Sequence, residues 1–427
     1  MNISDSYIAL AQGEVKPASW IMAILPEKED QPDVTSIMDL LEKSSIDIVS
    51  INHTEKSQTE SAIWELSINC KIHGDDEKTY LLWVEYSERL DDLHQNWDCV
   101  TQEEVDLGNK SRYTFGFSTV FSDDNLGDYH KQLLFIYTVA PQSILMVDVA
   151  SCRPFSWDWV KENALATVPP APDNLFCIHA VYDEGGDTWL HTHGLLRCGC
   201  IELEILNATR ENASTLSILI NTAAIMMIES GIPDPLEPFE IGKDIELLWM
   251  PWEEGIKKVS SKSQGMVEDR NDYHDHPAGI LFAPGGFLKK YKHPSIFLNT
   301  LEDNPILYIS NMETERMSVL ARERFESFVQ AMEKNDNEDW SFIVKLGYLI
   351  DDAQSDDQKE HLWFQVEEIK GDASIVATLL NEPYWIEGMH EGDRDEHSIE
   401  NLTDWVIYSN HGQFNAENIN MLLDILN

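Results

Sequence analysis

Two breaks in the apolar pattern divide this chain and limit what it can fold into. The first is the proline-rich stretch at 169–174, and the second is the polar stretch at 334–339. Proline fixes its own backbone and restricts the preceding residue, so such stretches interrupt regular structure. In a chain of 427 residues the breaks predict modules of ordinary domain size: an N-terminal domain at 15–168, a middle domain at 169–312, a connecting helix at 313–334 and a C-terminal domain at 335–427. Whether the first two pack as one unit is left open.

The N-terminal module mixes strand and helix patterns. Residues 64–72 mostly alternate apolar with polar, and after a polar turn the run 80–86 follows, which predicts a β-hairpin. The apolar runs 133–139 and 144–149, separated by Ala-Pro-Gln-Ser, predict a second pair of strands. A helix is expected at 157–166.

The middle module is expected to combine strands with one apolar helix. Its strands are predicted at 175–181, 189–197 and 201–206. The stretch 212–230 is helical in pattern, ends before Gly231 and Pro233, and is apolar nearly all round, which predicts burial between layers.

Strict alternation is the main signal in the C-terminal module. Apolar residues occupy every second position of 340–350, and further short strand patterns follow before a final helix. Such short strands predict a small twisted sheet or barrel. The fold class predicted for the whole chain is therefore α+β, with mostly antiparallel sheets and packed helices.

The charge balance narrows the range of partners. The chain has 76 acidic and 30 basic residues, a formal net charge of −46. Such a surface repels phosphate backbones and anionic lipids, which excludes nucleic acid and membrane surfaces as expected partners. A basic protein partner would instead be attracted over a long range.

The remaining composition predicts a cytoplasmic protein. No basic stretch followed by an apolar run opens the chain, and no apolar stretch reaches the roughly 18 residues of a membrane span. Six cysteines in a chain of this length, most of them in or beside apolar runs, are typical of buried reduced thiols.

Histidines and cysteines concentrate in the strands of the middle module. Residues two apart on a strand share a face, so neighbouring strands here can gather soft metal ligands. The candidate zinc ligands are His179, His191, His193, Cys198 and Cys200. The usual Cys-x-x-Cys spacing is missing, and cysteines among apolar residues more often pack as small core side chains.

A second histidine cluster lies at 272–276, with the sequence Asp-Tyr-His-Asp-His. Two imidazoles flanking a carboxylate can hold a metal ion. A polar run that ends in proline is more typical of a solvated loop, and the sequence favours that interpretation.

No catalytic signature is present. The chain has no Gly-x-Gly-x-x-Gly motif, phosphate-binding Gly-Lys-Ser/Thr, Gly-x-Ser-x-Gly or His-Glu-x-x-His. We therefore assign no catalytic residue, expect no cofactor other than the zinc alternative, and favour a non-enzymatic protein.

Several motifs resemble known families. The C-terminal module carries them at 342–345, 360–366, 380–383, 392–393 and 402–405 and resembles the bacterial family called domain of unknown function 2314 (DUF2314). The middle module is similar to domain of unknown function 4026 (DUF4026) at 175–181, 189–195 and 201–205. The resemblance implies an architecture and a bacterial cytoplasmic setting, but no reaction.

Four residues of the C-terminal motifs have two possible roles. His361, Trp363, Asp404 and Trp405 either lock a corner of the sheet, with the carboxylate accepting backbone N–H bonds, or line a groove for a ligand or peptide. The structural role is favoured.

Three functional hypotheses follow. The first is an acidic protein-interaction module without enzymatic activity, such as an immunity-type inhibitor of a basic toxin. The alternative is a metal-binding protein or metal-dependent hydrolase using His179, His191 and His193. A mimic of nucleic acid is less favoured, because the acidic residues are spread through the chain.

Overall fold

The structure is a computed structural model of the chain. It describes residues 5–11, 15–28, 31–53, 61–72, 74, 76–90, 100–182, 187–259, 263–270, 274, 276–285, 291–302, 307–308, 310–335, 340–355, 358–371 and 373–426.

The chain forms two compact units. One contains residues 1–165 and 169–308, and the other contains residues 166–168 and 309–427. The first two predicted modules therefore pack as one unit, a point that the sequence left open. Their separate boundaries stay predictions.

The first sheet of the larger unit has seven strands in the order β2-β3-β4-β5-β1-β6-β7, all antiparallel. The strands are β1 (Ser19–Ile24), β2 (Ile46–His53), β3 (Ala62–Ile72), β4 (Lys78–Tyr86), β5 (Tyr113–Thr119), β6 (Leu145–Asp148) and β7 (Arg153–Ser156). The helices are α1 (Asp5–Ala11), α2 (Val34–Glu42), α3 (Gln102–Gly108), α4 (Asn125–Val139) and α5 (Trp157–Leu165). The predicted hairpin is the β3–β4 pair.

One predicted strand of this module is wrong. Residues 133–139 form the second half of α4, which begins after Asp124, whose side chain accepts a hydrogen bond from Gly127 N. A run of seven apolar residues has no periodicity that separates a strand from a buried helix. The helix is set by its cap and by burial at Tyr129, Leu133 and Ile136, spaced three and four apart.

The second sheet of the larger unit runs in the order β11-β12-β13-β10-β9-β8, with β14 paired to β13. Its neighbours are antiparallel except for β10 and β13, which are parallel. The strands are β8 (Cys177–Tyr182), β9 (Asp187–His193), β10 (Glu202–Thr209), β11 (Phe239–Gly242), β12 (Ile245–Pro251), β13 (Ala278–Pro284) and β14 (Tyr291–Lys292), and the helices are α6 (Ala213–Ser230), α7 (Trp252–Gly255) and α8 (Leu298–Glu302).

Helix α6 covers one face of this sheet. It packs on β8, β9 and β10 through a buried side that includes Leu216, Ile220 and Met227. Its other side is only partly covered, with Ile218 exposed, so the expected burial between two layers is only half realised. It is the one helix of the described residues whose length and composition would suit a membrane span.

A buried ion pair joins the two sheets of the larger unit. Arg197 lies in a short helical turn after β9, and both its terminal nitrogens donate to the Asp148 carboxylate at the end of β6, over 3.0 and 2.8 Å. The Arg197 side chain is 1% exposed and that of Asp148 0%. Arg197 also donates to Ser19 Oγ and to the Leu175 carbonyl, and Tyr129 OH donates to Asp148.

The smaller unit is a six-stranded antiparallel sheet in the order β18-β17-β16-β15-β19-β20. Its elements are α9 (Asn311–Glu323), α10 (Phe325–Lys334), β15 (Ser341–Leu349), β16 (Lys359–Lys370), β17 (Ser374–Leu379), β18 (Arg394–Ser398), β19 (Leu402–Ser409), β20 (Gly412–Asn415) and α11 (Ile419–Leu426). Of the two predicted forms it is the open sheet: in the described residues its outer strands do not pair to close a barrel.

The predicted connecting helix is not a single helix. The backbone turns at Arg324, which separates α9 from α10. The Arg324 side chain is buried and donates to the Ala416 carbonyl, an interaction that the apolar spacing does not reveal. The fold class is confirmed as α+β with mostly antiparallel sheets.

Replacing Arg197 by Ala should destabilise the larger unit strongly. The change leaves the Asp148 carboxylate buried without its cation, which costs about 3–5 kcal/mol. Urea denaturation of the full chain measures the loss.

The matched control is Arg394→Ala, which removes an exposed pair with Glu367 and should cost far less, because solvent screens exposed charges. Equal effects of the two changes would contradict a structural role for the buried pair.

Candidate metal centre

Three histidines meet on one face of the second sheet. In the β8–β9 ladder His179 lies directly opposite His191, and His193 lies opposite Cys177. Because residues two apart on a strand share a face, His193 projects beside His191. The imidazole centroids are 5.7 Å apart for His179 and His191, and 4.9 Å for His193 with each of the others. The strand pairing thus brings together the three predicted histidines.

The ligand atoms of these histidines are close enough for one metal ion. One nitrogen from each ring lies within 4.8 Å of the other two. A tetrahedral zinc ion with bonds of about 2.0–2.1 Å holds its nitrogen ligands roughly 3.3 Å apart. Small side-chain movements would therefore bring all three nitrogens to bonding distance.

A fourth imidazole reaches the cluster from a different part of the chain. His274 Nε2 lies 3.3 Å from His191 Nε2, which matches the edge of a zinc tetrahedron of about 3.3 Å. Its ring centroid is 5.2 Å from that of His193, and the His276 ring is 6.5 Å from His193. His274 and His276 therefore lie beside the three strand histidines; residues 272, 273 and 275 lie outside the described residues.

Burial keeps these imidazoles in the form that binds metals. Burial lowers the pKa of His191 far below its ordinary value, with the neighbouring imidazoles as a further cause. Burial likewise lowers the pKa of His193 to about 3 and that of His274 to about 4. The rings are therefore neutral near pH 7, as a metal ligand must be.

Some polar atoms of the cluster are buried without a partner. His179 Nε2, His191 Nδ1 and His276 Nδ1 have no hydrogen-bond partner within the described part of the chain. A buried polar atom normally has a partner, and a missing one needs an explanation. The donor set fits zinc or a similar ion, because imidazole suits zinc, copper, iron and nickel.

A cation and a carboxylate pair with each other beside the histidines. Arg270 donates to both oxygens of Glu204, over 2.8 and 2.7 Å, and Glu204 lies opposite His191 in the β9–β10 ladder. The guanidinium also lies over the Trp252 ring at 4.1 Å. Glu204 is thus engaged by Arg270, and the histidines form a neutral ligand set next to this pair.

The two predicted cysteine ligands do not join the site. In the described residues the group of candidate ligands contains only the three strand histidines. Cys198 and Cys200 are buried, and the thiol of Cys200 donates to the Met227 carbonyl over 3.3 Å. Burial raises the pKa of the Cys198 thiol to about 12, which leaves it protonated. Both positions lie beyond the end of β9, so the two-residue strand rule does not apply to them.

A small cleft opens at the edge strand β8. It has a volume of about 230 Å³ and includes His179 in its wall, together with Cys152, Arg153, Asp173, Phe176, Cys177, Ile178 and Asn221. Because β8 is the last strand of its sheet, the cleft brings solvent close to one of the candidate ligands.

The structure separates the four candidate residues of the C-terminal module. Lys345 pairs with Trp363 on one side and with Asp404 on the other, so these three lie in one row across the sheet. His361 shares the face of Trp363, and its Nδ1 is 3.0 Å from Thr403 Oγ1. Asp404 accepts the Trp405 backbone N–H over 2.8 Å.

Trp405 lies on the opposite face and does not belong to a groove. It is fully buried, and its indole N–H donates to the Ala321 carbonyl over 2.9 Å. Its ring packs on Phe328 of α10. The alternation within β19 places Asp404 and Trp405 on opposite faces, so the four residues do not line one groove.

Comparison with protein families agrees with the resemblance in the sequence. Residues 19–170 and 178–282 match the N-terminal and C-terminal models of the family described as protein of unknown function (DUF4026). Residues 311–426 match the family described as uncharacterized protein conserved in bacteria (DUF2314). No curated protein and no solved structure matches the chain. All five clustered histidines lie within the match at 178–282.

Replacing Trp405 by Phe should destabilise the smaller unit. The change leaves the buried Ala321 carbonyl without its donor, at a cost of about 1–3 kcal/mol. Urea denaturation measures the change, and Trp363→Phe, at a half-buried position, serves as the control with a smaller effect. A Trp405→Phe variant as stable as the wild type would contradict this role.

The metal-free protein should lose stability in mild acid. His193 and His274 have a lower pKa in the folded state than the value of about 6.5 of the unfolded state. Protons therefore bind preferentially to the unfolded chain, so the contribution is complete above about pH 6.5 and is lost as the pH falls toward about 4. The measurement is the unfolding temperature of chelator-treated protein at about pH 7.5 and about pH 5.

The comparison is with His193→Gln and His274→Gln, whose side chains do not titrate. Their unfolding temperatures should fall less between the two pH values than that of the wild type. An equal fall in all three proteins would assign the acid sensitivity to other groups.

Proposed function

Because the chain belongs to the DUF4026 family and carries a DUF2314 domain, neither of which has a described activity, we propose its function from the geometry of the histidine cluster. The protein binds a divalent transition-metal ion, zinc first, through His179, His191 and His193. The observation that carries the proposal is the position of one nitrogen from each ring within 4.8 Å of the others.

The strands favour this use of the histidines. The three ligands are on paired strands, so the backbone ladder holds the side chains in register before any ion binds. A preorganised ligand set loses less conformational entropy on binding than ligands on separate loops. The buried Nε2 of His179, which has no hydrogen-bond partner among the described residues, would gain the partner that buried polar atoms normally have.

His274 distinguishes two kinds of metal centre. With His274 as a fourth ligand, the ion has four protein ligands and a closed coordination sphere, as in structural zinc sites. Without it, one position is open to water, and hydrolysis becomes chemically possible. The 3.3 Å separation of His274 Nε2 from His191 Nε2 favours the closed centre, and a metal-dependent hydrolase is the alternative.

Metal analysis of untagged protein, purified without chelators, tests the proposal. We expect about one equivalent of zinc or a similar ion per chain. The double variant His191→Ala/His193→Ala should lose it, whereas His411→Ala, which removes an exposed histidine of the other unit, should retain it.

A second measurement distinguishes loss of the metal ligands from misfolding of the double variant. Zinc added to chelator-treated protein should raise the unfolding temperature of the wild type, because an ion that binds only the folded state stabilises it. The double variant should unfold cooperatively but show no response. Folded wild-type protein that neither contains nor takes up an ion, or a double variant that keeps it, would refute the proposal.

Chelator competition separates the closed centre from the open one. A closed centre predicts that His274→Ala releases zinc at a lower chelator concentration than the wild type does. Equal retention would assign the site to three histidines and an open position, which would favour the hydrolase alternative.

A further inference from the structure

Two neighbouring aromatic side chains project from the smaller unit into solvent. Tyr384 is 87% exposed and Trp385 is 67% exposed. Aromatic side chains gain more than most from burial, so adjacent exposed rings mark a surface that a partner can cover. They lie in the segment 380–393 between β17 and β18, which we call the aromatic loop.

The backbone of the aromatic loop is fixed by carboxylates of the neighbouring strand and turn. The Glu360 carboxylate accepts the N–H of Tyr384 over 2.7 Å and that of Trp385 over 2.8 Å. The Trp385 carbonyl accepts the Asp351 N–H over 3.1 Å, and the Asp351 carboxylate accepts the Glu387 N–H over 2.7 Å. The rings therefore stand on an ordered backbone, which lowers the entropy lost when they are covered.

The charge of the aromatic loop indicates what can cover it. It contains four exposed carboxylates and neither Lys nor Arg: Glu382, Glu387, Glu391 and Asp393. Acidic side chains beside aromatic faces suit a cation, which the carboxylates attract from a distance and the ring face holds on contact. A second copy of the chain is a poor occupant, because each copy carries a formal charge of −46.

We propose that the aromatic loop is a docking surface for a Lys- and Arg-rich segment of a partner protein. Guanidinium or ammonium groups lie over the rings of Trp385 and Tyr384, and neighbouring cations pair with the carboxylates of the loop. The aromatic loop belongs to the smaller unit and the histidine cluster to the larger one, and the proposal does not depend on metal binding.

Binding of a fluorescently labelled deca-arginine peptide to the full chain tests the proposal. The double variant Tyr384→Ser/Trp385→Ser keeps every charge. A loss of affinity in this variant is therefore due to the missing rings and not to a change in the general electrostatic attraction of the acidic protein. Because the variant loses two solvent-exposed cation–π contacts, we expect it to bind the peptide about tenfold more weakly than the wild type does. Fluorescence anisotropy at about 150 mM salt, where exposed charges are partly screened, gives the affinities.

The matched control is Tyr86→Ser, because Tyr86 is 68% exposed but lies in the other unit. It should bind the peptide as the wild type does, and all three proteins should share one unfolding temperature. Equal affinity of the double variant and the wild type would overturn the proposal. A wild-type dimer that the double variant converts to a monomer would also overturn it, since the occupant would then be a second copy.

Discussion

The buried ion pair between Arg197 and Asp148 constrains how the two sheets of the larger unit pack. It joins the last turn after β9 to the end of β6, and so connects one sheet to the other through a region that water does not reach. A buried charge is tolerated only with its partner and further hydrogen bonds. Ser19, Tyr129 and the Leu175 carbonyl provide them.

The same pair bears on the candidate metal centre. Arg197 lies four residues beyond the end of β9, in the short helical turn Leu195–Cys198, so anchoring it also fixes the end of the strand that carries His191 and His193. The carboxylate of Glu202 reinforces this region by accepting the Gly194 N–H and the Thr192 hydroxyl. The histidines are therefore held by a network that contains none of them, and their geometry follows from the packing of the two sheets.

The sequence predicts the parts of this site that follow from strand periodicity. The two-residue rule placed His191 beside His193, and only the pairing with β8 was needed to add His179. The approach of His274 could not be predicted, because His274 does not lie on a strand and strand periodicity therefore does not place its side chain. The clue was a second histidine cluster about 80 residues away, which on its own was typical of a loop.

In the smaller unit, too, the sequence pattern predicted the individual strands but not the features that depend on tertiary packing. Alternation at 340–350 predicted β15, and the family motifs predicted the order of the domains. The alternating pattern does not predict which strands form the edges of the sheet, so the sequence was compatible with both an open sheet and a barrel. The exposure of Tyr384 and Trp385 could not be predicted from the sequence either, because apolar residues near a turn can face either the core or solvent.

The three residues 166–168 belong to the smaller unit although they lie in the chain between the two segments of the larger one. Ala166 is buried in the C-terminal core, and the Thr167 N–H donates to the Glu323 carboxylate over 3.0 Å. A fragment that begins at residue 309 would lack this tripeptide and leave its place in the core unfilled. Because the chain crosses between the units in this way, no single cut in the polypeptide releases both units intact.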